Sequence, residues 1–498
     1  MNVNPITRLD YPDPDVIRVE DTYYMVSTTM HFMPGCEILQ SFDLVNWEHV
    51  TYVYETLDHT DAQQLKSGQN IYGQGMWAAS LRYHEGRFCI CFVANDTRKT
   101  YLYTSEKIDG PWKKQLIEGF YHDGSLLFDE DGRNYIVYGN DEIWITELNE
   151  DLTAPKKDGL HRLLVSDHKN PELGYEGSHI QKINGYYYIF LIHSLRDRWM
   201  RTEACFYSDS LEGEFTGGDV LCDDRGYCGQ GVAQGGIVDT PDGKWYAMLF
   251  QDSGAVGRIP ILLPVTWKDH FPFFGQNGHV PEEIEVHSTR PGYIYQPLVG
   301  SDDFCNGLLP RWQFNHDPDP RYYHLDALQG TYTITTREVC TELTQAVNTL
   351  TQRMSYPSCA AEVTVDASAL KEGDVAGLCA LQSCYAAVGI TKHHGKYEVL
   401  MLDKKEDGIL DMTEGTVVES HQMDFRLEAD FCNMKDEARC YYRVNKGDWL
   451  PIGTVHRLYF KLDHFTGCRF GLFCYAAEET GGSACFRDFK YYDVDEIS

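Results

Sequence analysis

Alternating hydrophobic and polar positions dominate the chain, and one such pattern occurs five times in its first part. Each copy has a run that begins with a polar or aromatic residue, a tight turn, and a strand rich in Tyr, Phe and Trp. Four of the five turns carry a glycine directly after Glu, Asp or Asn, which is a strong signal for a β-hairpin. The copies cover residues 13–27, 77–93, 123–138, 176–191 and 234–250.

The spacing of these hairpins predicts the architecture of the first domain. The turns follow one another at intervals of 46 to 65 residues, which leaves room for four short strands per interval. Helical periodicity is scarce between them. We therefore predict an all-β chain that begins with a five-bladed β-propeller over residues 1–296. A β-sandwich with irregular loops is the alternative that this pattern leaves open.

One position in each repeat has a shared place relative to the turn. Eight or nine residues before the turn centre stand Asp13, Trp77, Asp123, Glu176 and Gln234. Equivalent positions in a propeller occupy equivalent places, so residues that begin the inner strands converge at one mouth of the central channel. This register predicts three carboxylates, an indole and an amide around one pocket.

The second part of the chain lacks the repeat. Residues 275–303 are rich in Gly and Pro and have no clean period, which predicts a linker. Alternating runs follow at 331–335, 361–365 and 469–473. Such runs are typical of antiparallel sheets with one buried face, so we predict a β-sandwich over residues 303–498.

Amino-acid composition indicates which binding partners suit the chain. The chain has 43 Lys and Arg against 75 Asp and Glu, a net charge of −32, which disfavours nucleic acid and anionic membranes. The 33 Tyr, 23 Phe and 9 Trp suit strands and sugar-stacking surfaces. No stretch reads as a signal peptide or membrane span, so the expected location is cytoplasmic. The scattered cysteines are expected to be mostly buried thiols.

Three acids in one cleft suit hydrolysis of a glycosidic bond, which needs one carboxylic acid and one carboxylate. Any single Asp or Glu is more often a surface residue, so the argument depends on the shared register. Asp15 competes with Asp13, because residues two apart face the same way in an extended chain. Glu176 follows Tyr175 and precedes a glycine that permits close approach to a ligand, although a structural role stays open.

Two further residues have alternative interpretations. Trp77 is either an inner-strand core residue or a surface on which a sugar ring stacks. Arg258 lies among apolar residues and should bind a carboxylate or hydroxyl, either as an ion pair between blades or at the pocket. The histidines form no compact ligand set, so no catalytic transition metal is expected.

Six short motifs follow one another along the first domain: Tyr11-Pro12-Asp13-Pro14-Asp15-Val16, Ser41-Phe42-Asp43-Leu44-Val45-Asn46-Trp47, Met76-Trp77-Ala78, His122-Asp123, Tyr175-Glu176-Gly177 and Val238-Asp239-Thr240-Pro241-Asp242-Gly243. Together they resemble the motifs of glycoside hydrolase family 43, the five-bladed propeller enzymes that include β-xylosidases and α-L-arabinofuranosidases.

The resemblance implies a role for each candidate. Asp13 matches the family's general base, which decides the choice against Asp15, and Glu176 matches its general acid. Asp123 matches the residue that modulates the pKa of the acid and orients it. Trp77 and Arg258 match sugar-contacting residues, and Gln234 is expected to contact substrate. Because the family inverts configuration, it implies a separation of roughly 6.5–9.5 Å between the carboxyl groups of base and acid.

Many members carry His where this chain has Gln234, and that His helps to hold a central metal or its waters. The resemblance therefore implies no required cofactor and leaves a structural Ca²⁺ open. The C-terminal residues resemble the concanavalin-like jelly roll of two-domain members, in which a sandwich loop helps to close the pocket.

The expected function is an inverting exo-glycoside hydrolase that releases terminal xylose from β-1,4-xylo-oligosaccharides. An α-L-arabinofuranosidase, acting on arabinofuranosyl-bearing oligosaccharides, is one alternative, and a catalytically silent carbohydrate-binding protein is another. A homo-oligomer is left open.

Overall fold

The structure, a computed structural model, describes residues 2–493 and is built almost wholly of strands. The strands of the first domain are β1 (Asn2–Val3), β2 (Asp15–Val19), β3 (Thr22–Ser27), β4 (Phe32–Met33), β5 (Gly35–Ser41), β6 (Glu48–Tyr54), β7 (Met76–His84), β8 (Arg87–Ala94), β9 (Lys99–Ser105), β10 (Lys113–Ile117), β11 (Ser125–Phe128), β12 (Asn134–Asn140), β13 (Glu142–Leu148), β14 (His161–Ser166), β15 (Glu176–Ile183), β16 (Tyr186–Ser194), β17 (Arg201–Ser208), β18 (Thr216–Leu221), β19 (Val232–Asp239), β20 (Trp245–Asp252), β21 (Arg258–Lys268), β22 (Phe271–Phe274) and β23 (Glu283–Ile284).

The remaining strands belong to the second domain. They are β24 (Gln313–Asn315), β25 (Tyr323–Asp326), β26 (Thr331–Thr335), β27 (Leu350–Arg353), β28 (Ser358–Asp366), β29 (Val375–Leu381), β30 (Ala386–His393), β31 (Lys396–Lys404), β32 (Leu410–Met412), β33 (Thr416–Val418), β34 (Gln422–Asp430), β35 (Glu437–Arg443), β36 (Leu450–Arg457), β37 (Arg469–Tyr475) and β38 (Ser483–Asp493). Short 3₁₀ turns cover Lys66–Gly68, Gly254–Val256, Leu343–Gln345 and Cys432–Met434. No helix within residues 2–493 is long and apolar enough to cross a membrane.

The first domain is a five-bladed propeller, as the hairpin spacing predicted. Its blades are the four-stranded antiparallel sheets β2-β3-β5-β6, β7-β8-β9-β10, β11-β12-β13-β14, β15-β16-β17-β18 and β19-β20-β21-β22. The innermost strands form a closed ring, in which β2 contacts β7, β7 contacts β11, β11 contacts β15, β15 contacts β19, and β19 contacts β2. Aromatic and β-branched side chains fill the spaces between blades.

The second domain is the predicted β-sandwich. One sheet has the order β32-β31-β30-β29-β37-β27-β24-β4, with β33 also paired to β31, and the other has the order β25-β26-β38-β28-β34-β35-β36. Their inner faces enclose a continuous core of Leu, Val, Ile and Phe side chains. Most of the sixteen cysteines are buried and all are free thiols, which confirms the interpretation from their scattered positions.

The two domains share a sheet. Strand β4 leaves the first blade and pairs with β24, so that Phe32 lies opposite Asn315 and Met33 opposite Phe314. The repeat-based analysis did not anticipate this connection, because a two-residue strand carries no period. The pairing fixes the sandwich against one side of the propeller.

A buried ion pair reinforces this interface. Arg353 of the sandwich lies 2.8 Å from the Glu37 carboxylate of the propeller, and both side chains are almost fully buried. Arg353 also donates a hydrogen bond of 2.9 Å to the backbone oxygen of Asp10. Burial by itself would raise the pKa of Glu37, but Arg353 and His49 outweigh it and lower the pKa to about 2.

Replacing Arg353 with methionine should destabilise the protein by about 3–5 kcal/mol, because a buried carboxylate would lose its partner. The exposed ion pair between Arg133 and Asp131 supplies the control: Arg133→Met should cost about 1 kcal/mol or less. Chemical unfolding at pH 7 measures both losses of stability.

The pKa of Glu37 is lowered in the folded state, so its contribution to the free energy of unfolding exists above about pH 4.3 and fades as pH falls toward 2. The difference between wild type and Arg353→Met should shrink over that range, and equal small losses in both variants would contradict the assignment.

Candidate active site

The five register residues lie where the inner strands begin, at one mouth of the channel. Asp13 and Asp123 come just before β2 and β11, whereas Trp77, Glu176 and Gln234 lie at or near the start of β7, β15 and β19. Asp13, Asp123 and Gln234 have left-handed backbones, with φ of 53°, 48° and 59°. This conformation is unusual for residues other than glycine and breaks the alternation of the strand, so it redirects the side chains.

Bulges contribute to the same effect. The pairing of β15 with β16 shifts between Glu176 and His179, and similar shifts follow Met76 in β7 and Ala233 in β19. At Gly177 the backbone is left-handed, and a Cβ atom there would lie only 2.7 Å from the Gln234 side chain. A glycine is therefore required beside Glu176, because any larger residue would collide with the neighbouring blade.

Asp13 is buried and held at both oxygens. Thr28 donates a hydrogen bond of 2.6 Å to Oδ2, and the Arg258 guanidinium donates one of 2.9 Å to Oδ1. Arg258 also lies over the Phe465 ring, 4.2 Å from its centroid. The pair of Arg258 and Asp13 joins the fifth blade to the first, so it is an ion pair between blades. Arg258 does not line the large cavity itself but contacts Phe465, which does.

Asp15 points into the channel axis. Its Oδ2 accepts hydrogen bonds of 2.7 Å from Arg82 and from the Leu81 backbone, and its Oδ1 lies 3.1 Å from His179. Arg82 also reaches Ser125 of the third blade and the Ile180 oxygen of the fourth. Asp15 thus links blades. The side chains of Asp13 and Asp15 point in different directions, although residues two apart in a regular strand would face the same way.

Asp123 is buried beside Glu176. Its Oδ2 accepts a hydrogen bond of 3.0 Å from the Gly177 backbone and lies 3.5 Å from His122 Nε2. Burial is the main cause that raises the pKa of Asp123, and the charges of Glu176 and Asp13 add to it, while His122 opposes them. The Gly177 contact ties this carboxyl to the start of the strand that carries Glu176.

Glu176 faces the cavity with about a fifth of its side chain exposed. Asn140 donates a hydrogen bond of 2.7 Å to Oε2, and His122 Nε2 lies 3.5 Å from the same oxygen. Glu176 is therefore oriented from two directions while it stays accessible from the cavity.

His122 lies between two of the acids, and the sequence analysis gave it no role. Burial lowers its pKa, but Asp123 and Glu176 outweigh burial and raise the pKa of His122 to about 9. An imidazolium therefore separates two carboxyl groups at neutral pH. Its position next to Asp123 in the chain was the available signal.

The ligand atoms of His122, Asp123 and Glu176 lie within 4.8 Å of one another, and no other such group of His, Cys, Asp and Glu occurs in the described part of the chain. A metal ligand must give up the imidazole proton, which the raised pKa of His122 opposes. His122 Nε2 lies 3.5 Å from each carboxylate, so these contacts are ion pairs and not hydrogen bonds.

The cavity above the acids has a volume of about 860 Å³ and is bounded by both domains. Trp77, His122 and Glu176 come from the propeller, whereas Tyr459, Phe460, Leu462 and Phe465 come from the connection between β36 and β37 of the sandwich. The Trp77 and Phe465 ring centroids are 5.6 Å apart. Trp77 is thus half-buried in the cavity wall. The sequence had no signal for Phe465, since the fold alone brings it to the site.

Gln234 is buried next to the acids. Its backbone N–H donates a hydrogen bond of 2.7 Å to Glu203, a fully buried carboxyl whose pKa is raised by desolvation. Its side chain lies against Gly177 and does not border the large cavity. The structure therefore brings all six predicted site residues together. Trp77 and Glu176 line the cavity, whereas Asp13, Asp123, Arg258 and Gln234 lie behind its wall.

A closed five-bladed propeller with acidic groups at one mouth, capped by a sandwich segment, is the architecture of a carbohydrate-cleaving enzyme with a pocket-shaped site. Residues 3–272 match the family model "Glycosyl hydrolases family 43", and residues 301–492 match "Beta xylosidase C-terminal Concanavalin A-like domain". The chain belongs to glycoside hydrolase family 43.

Individual relatives and a solved structure are similar to this chain over nearly its whole length. A "Beta-xylosidase" of Formosa agariphila is 26% identical over 99% of this chain and 89% of its own length. A "Xylosidase/arabinosidase 43B" of Humicola insolens is 25% identical over 98% of this chain and 96% of its own. A solved structure, "Bifunctional GH43-CE" of Bacteroides eggerthii, is 42% identical with a TM-score of 0.92. It covers 100% of this chain, which spans 64% of that protein.

His122→Asn should lower kcat/KM by about 10- to 100-fold, because Asp123 would lose the positive charge beside it and Glu176 would lose one of the two groups that orient it. The pKa of His122 is raised to about 9, so its charge is present below that pH and lost above it. Any alkaline decline near pH 9 that arises from His122 should disappear in the variant. Steady-state kinetics from pH 5 to 10 test this, with His287→Asn, a change at an exposed position, as control. Unchanged kcat/KM in His122→Asn would contradict the role.

Proposed function

We propose that this chain is an inverting, exo-acting glycoside hydrolase that releases terminal xylose from β-1,4-xylo-oligosaccharides. The observation that carries the proposal is a pair of differently held acids near one cavity, of which Glu176 lines the wall and Asp13 is joined to the wall through Arg258 and Phe465. Asp13 is buried and bonded at both oxygens by Thr28 and Arg258, whereas Glu176 faces the cavity and is oriented by Asn140. Two carboxyl groups in different environments suit the separate roles of base and acid.

In the proposed reaction, Asp13 accepts a proton from water as that water attacks the anomeric carbon. Glu176 donates its proton to the leaving oxygen, so the sugar departs with inverted configuration. The Arg258 guanidinium stabilises the negative charge of Asp13 before attack. Asp123 holds the strand start that carries Glu176 through the Gly177 N–H. Trp77 offers a ring face to the apolar side of the sugar.

Exo action is supported by the shape of the cavity. The sandwich segment 459–465 closes one side, and a closed side suits the end of a chain better than its interior. An α-L-arabinofuranosidase is the second candidate, supported by the relative named "Xylosidase/arabinosidase 43B". A silent binding protein is less well supported, because Asp13, Asp123 and Glu176 are all present and oriented.

The substrate is tested by kcat/KM on aryl β-xyloside and aryl α-L-arabinofuranoside side by side. We expect a preference for the xyloside, and proton NMR of the first product should show α-xylose. A preference for the arabinofuranoside would identify the second candidate with the same acids. A β-anomer would overturn the roles of Asp13 and Glu176, and tight binding without turnover by either substrate would support a silent protein.

We also propose that the reaction needs no metal. A calcium ion at the axis would need six to eight oxygen ligands, and the carboxylate there cannot supply one freely, because both oxygens of Asp15 already bind Arg82, Leu81 and His179. The guanidinium of Arg82 supplies a positive charge at this place, and Gln234 offers only a neutral amide. The residues around the axis therefore do not suit a calcium ion.

EDTA should leave kcat/KM unchanged, and millimolar calcium should not raise the unfolding temperature. Activity assays and thermal unfolding, each after chelation and after addition of calcium, measure the two effects. Loss of activity on chelation, with recovery on adding calcium, would show that a metal site exists despite the partners of Asp15.

A further inference from the structure

The cavity extends well beyond the acids. Its volume of about 860 Å³ lies near the upper end of the range for small-molecule sites, about 300–1,000 Å³. Its lining also includes Trp199 and Arg201 from the fourth blade, Asp252 from the fifth, and Leu173 from the connection between the third and fourth blades. None of these residues contributes to the steps described above, so this part of the cavity has room and side chains for another group.

Most hydrogen-bond donors of the Arg201 guanidinium have no acceptor in the described part of the protein. The residue is only 9% exposed, yet its guanidinium makes no hydrogen bond to any residue within 2–493, and its single polar contact is an ion pair of 3.3 Å with Asp252. An arginine offers five N–H donors. A nearly buried guanidinium with so few partners is costly unless a ligand or ordered water supplies acceptors.

Trp199 gives this region an apolar surface. The residue is 43% exposed, and the Arg201 guanidinium lies 5.5 Å from the centroid of its ring. An exposed indole binds the C–H face of a sugar, while charged side chains bind its hydroxyls. Because Arg201 and Asp252 carry opposite charges, they suit a neutral sugar better than a uronic acid.

The position is on the leaving-group side. Glu176 pairs with Ile192 on β16, and Arg201 on β17 pairs with Ser194 of the same strand. Arg201 therefore lies two strands outward from Glu176 in one blade and two residues farther along, about 12 Å away at about 4.8 Å per strand and about 3.4 Å per residue. In the proposed reaction Glu176 protonates the leaving oxygen, so the leaving group lies on the side of Glu176 and the fourth blade. The water that Asp13 activates lies on the opposite side, toward the first blade.

We propose that Trp199, Arg201 and Asp252 form a subsite for the second sugar ring of a neutral oligosaccharide, the ring that leaves. This subsite rests on the proposed function and makes it more specific. It implies that the enzyme is selective for oligosaccharides over substrates whose leaving group has no ring.

The test compares kcat/KM on xylobiose with kcat/KM on β-xylosyl fluoride, whose leaving group is a single atom. Trp199→Ala and Arg201→Met should each lower the ratio of the two values by about 10-fold or more, the effect of losing one good contact to the leaving ring. Trp199 is exposed, so its variant should fold even if Arg201→Met does not. Phe273→Ala, at an exposed aromatic residue away from the cavity, should leave the ratio unchanged.

Equal losses on both substrates would overturn the inference, since they would place these residues at the first sugar. An unchanged ratio would overturn it as well. Should the wild type cleave neither substrate, the proposed function fails separately, and calorimetric titration then decides the subsite. Xylobiose or arabinofuranosyl-xylobiose should bind the wild type at least 10-fold more tightly than it binds Trp199→Ala. Equal affinity of the two proteins would refute the subsite.

Discussion

Acidic groups placed close together in a buried site repel one another, and the structure around this channel is arranged to balance that repulsion. Arg258 pairs with Asp13, the protonated His122 lies between Asp123 and Glu176, and Arg82 binds Asp15 below them. Each cation sits within a few ångströms of its acid, where low effective dielectric makes the attraction strong. The acids can therefore be concentrated at one mouth without unfolding the inner strands.

The sandwich is part of this arrangement. Asp10 accepts a hydrogen bond from the Arg258 backbone with one oxygen and from the Gly467 backbone of the sandwich with the other, both at 2.7 Å. The Phe465 backbone oxygen lies 3.4 Å from the Arg258 guanidinium. The second domain thus positions the cation that holds Asp13, besides supplying an apolar wall. Separating the domains would alter the site, because Arg258 would lose contacts on one side.

Local backbone geometry then decides which way the acids point. Asp13 and Asp123 have left-handed backbones just before β2 and β11, and a bulge follows Glu176 at the start of β15. In an undisturbed strand, alternate side chains would face the neighbouring blades. These features set the directions of the three carboxyl groups, at a cost in backbone strain that the closed ring of strands must offset.

The sequence by itself determined the architecture and pointed to three acids that the fold brings together. Five hairpin signals at blade-like spacing specify a propeller, since turn chemistry and strand alternation are local properties. The shared register before each turn brought out Asp13, Asp123 and Glu176, because repeated units place equivalent residues equivalently. The resemblance to family 43, now established by the family match, assigned what the register could not, including the choice of Asp13 over Asp15.

Only the tertiary structure decided which groups surround those acids. Thr28, Asn140 and Phe465 approach the site from other strands and another domain, so no spacing along the chain connects them with Asp13 or Glu176. The pairing of β4 with β24 was also decided only by the tertiary structure, because a strand of two residues has no periodic pattern and forms only where its partner strand lies. Positions set by contacts between distant segments depend on packing, and packing has no local pattern in the sequence.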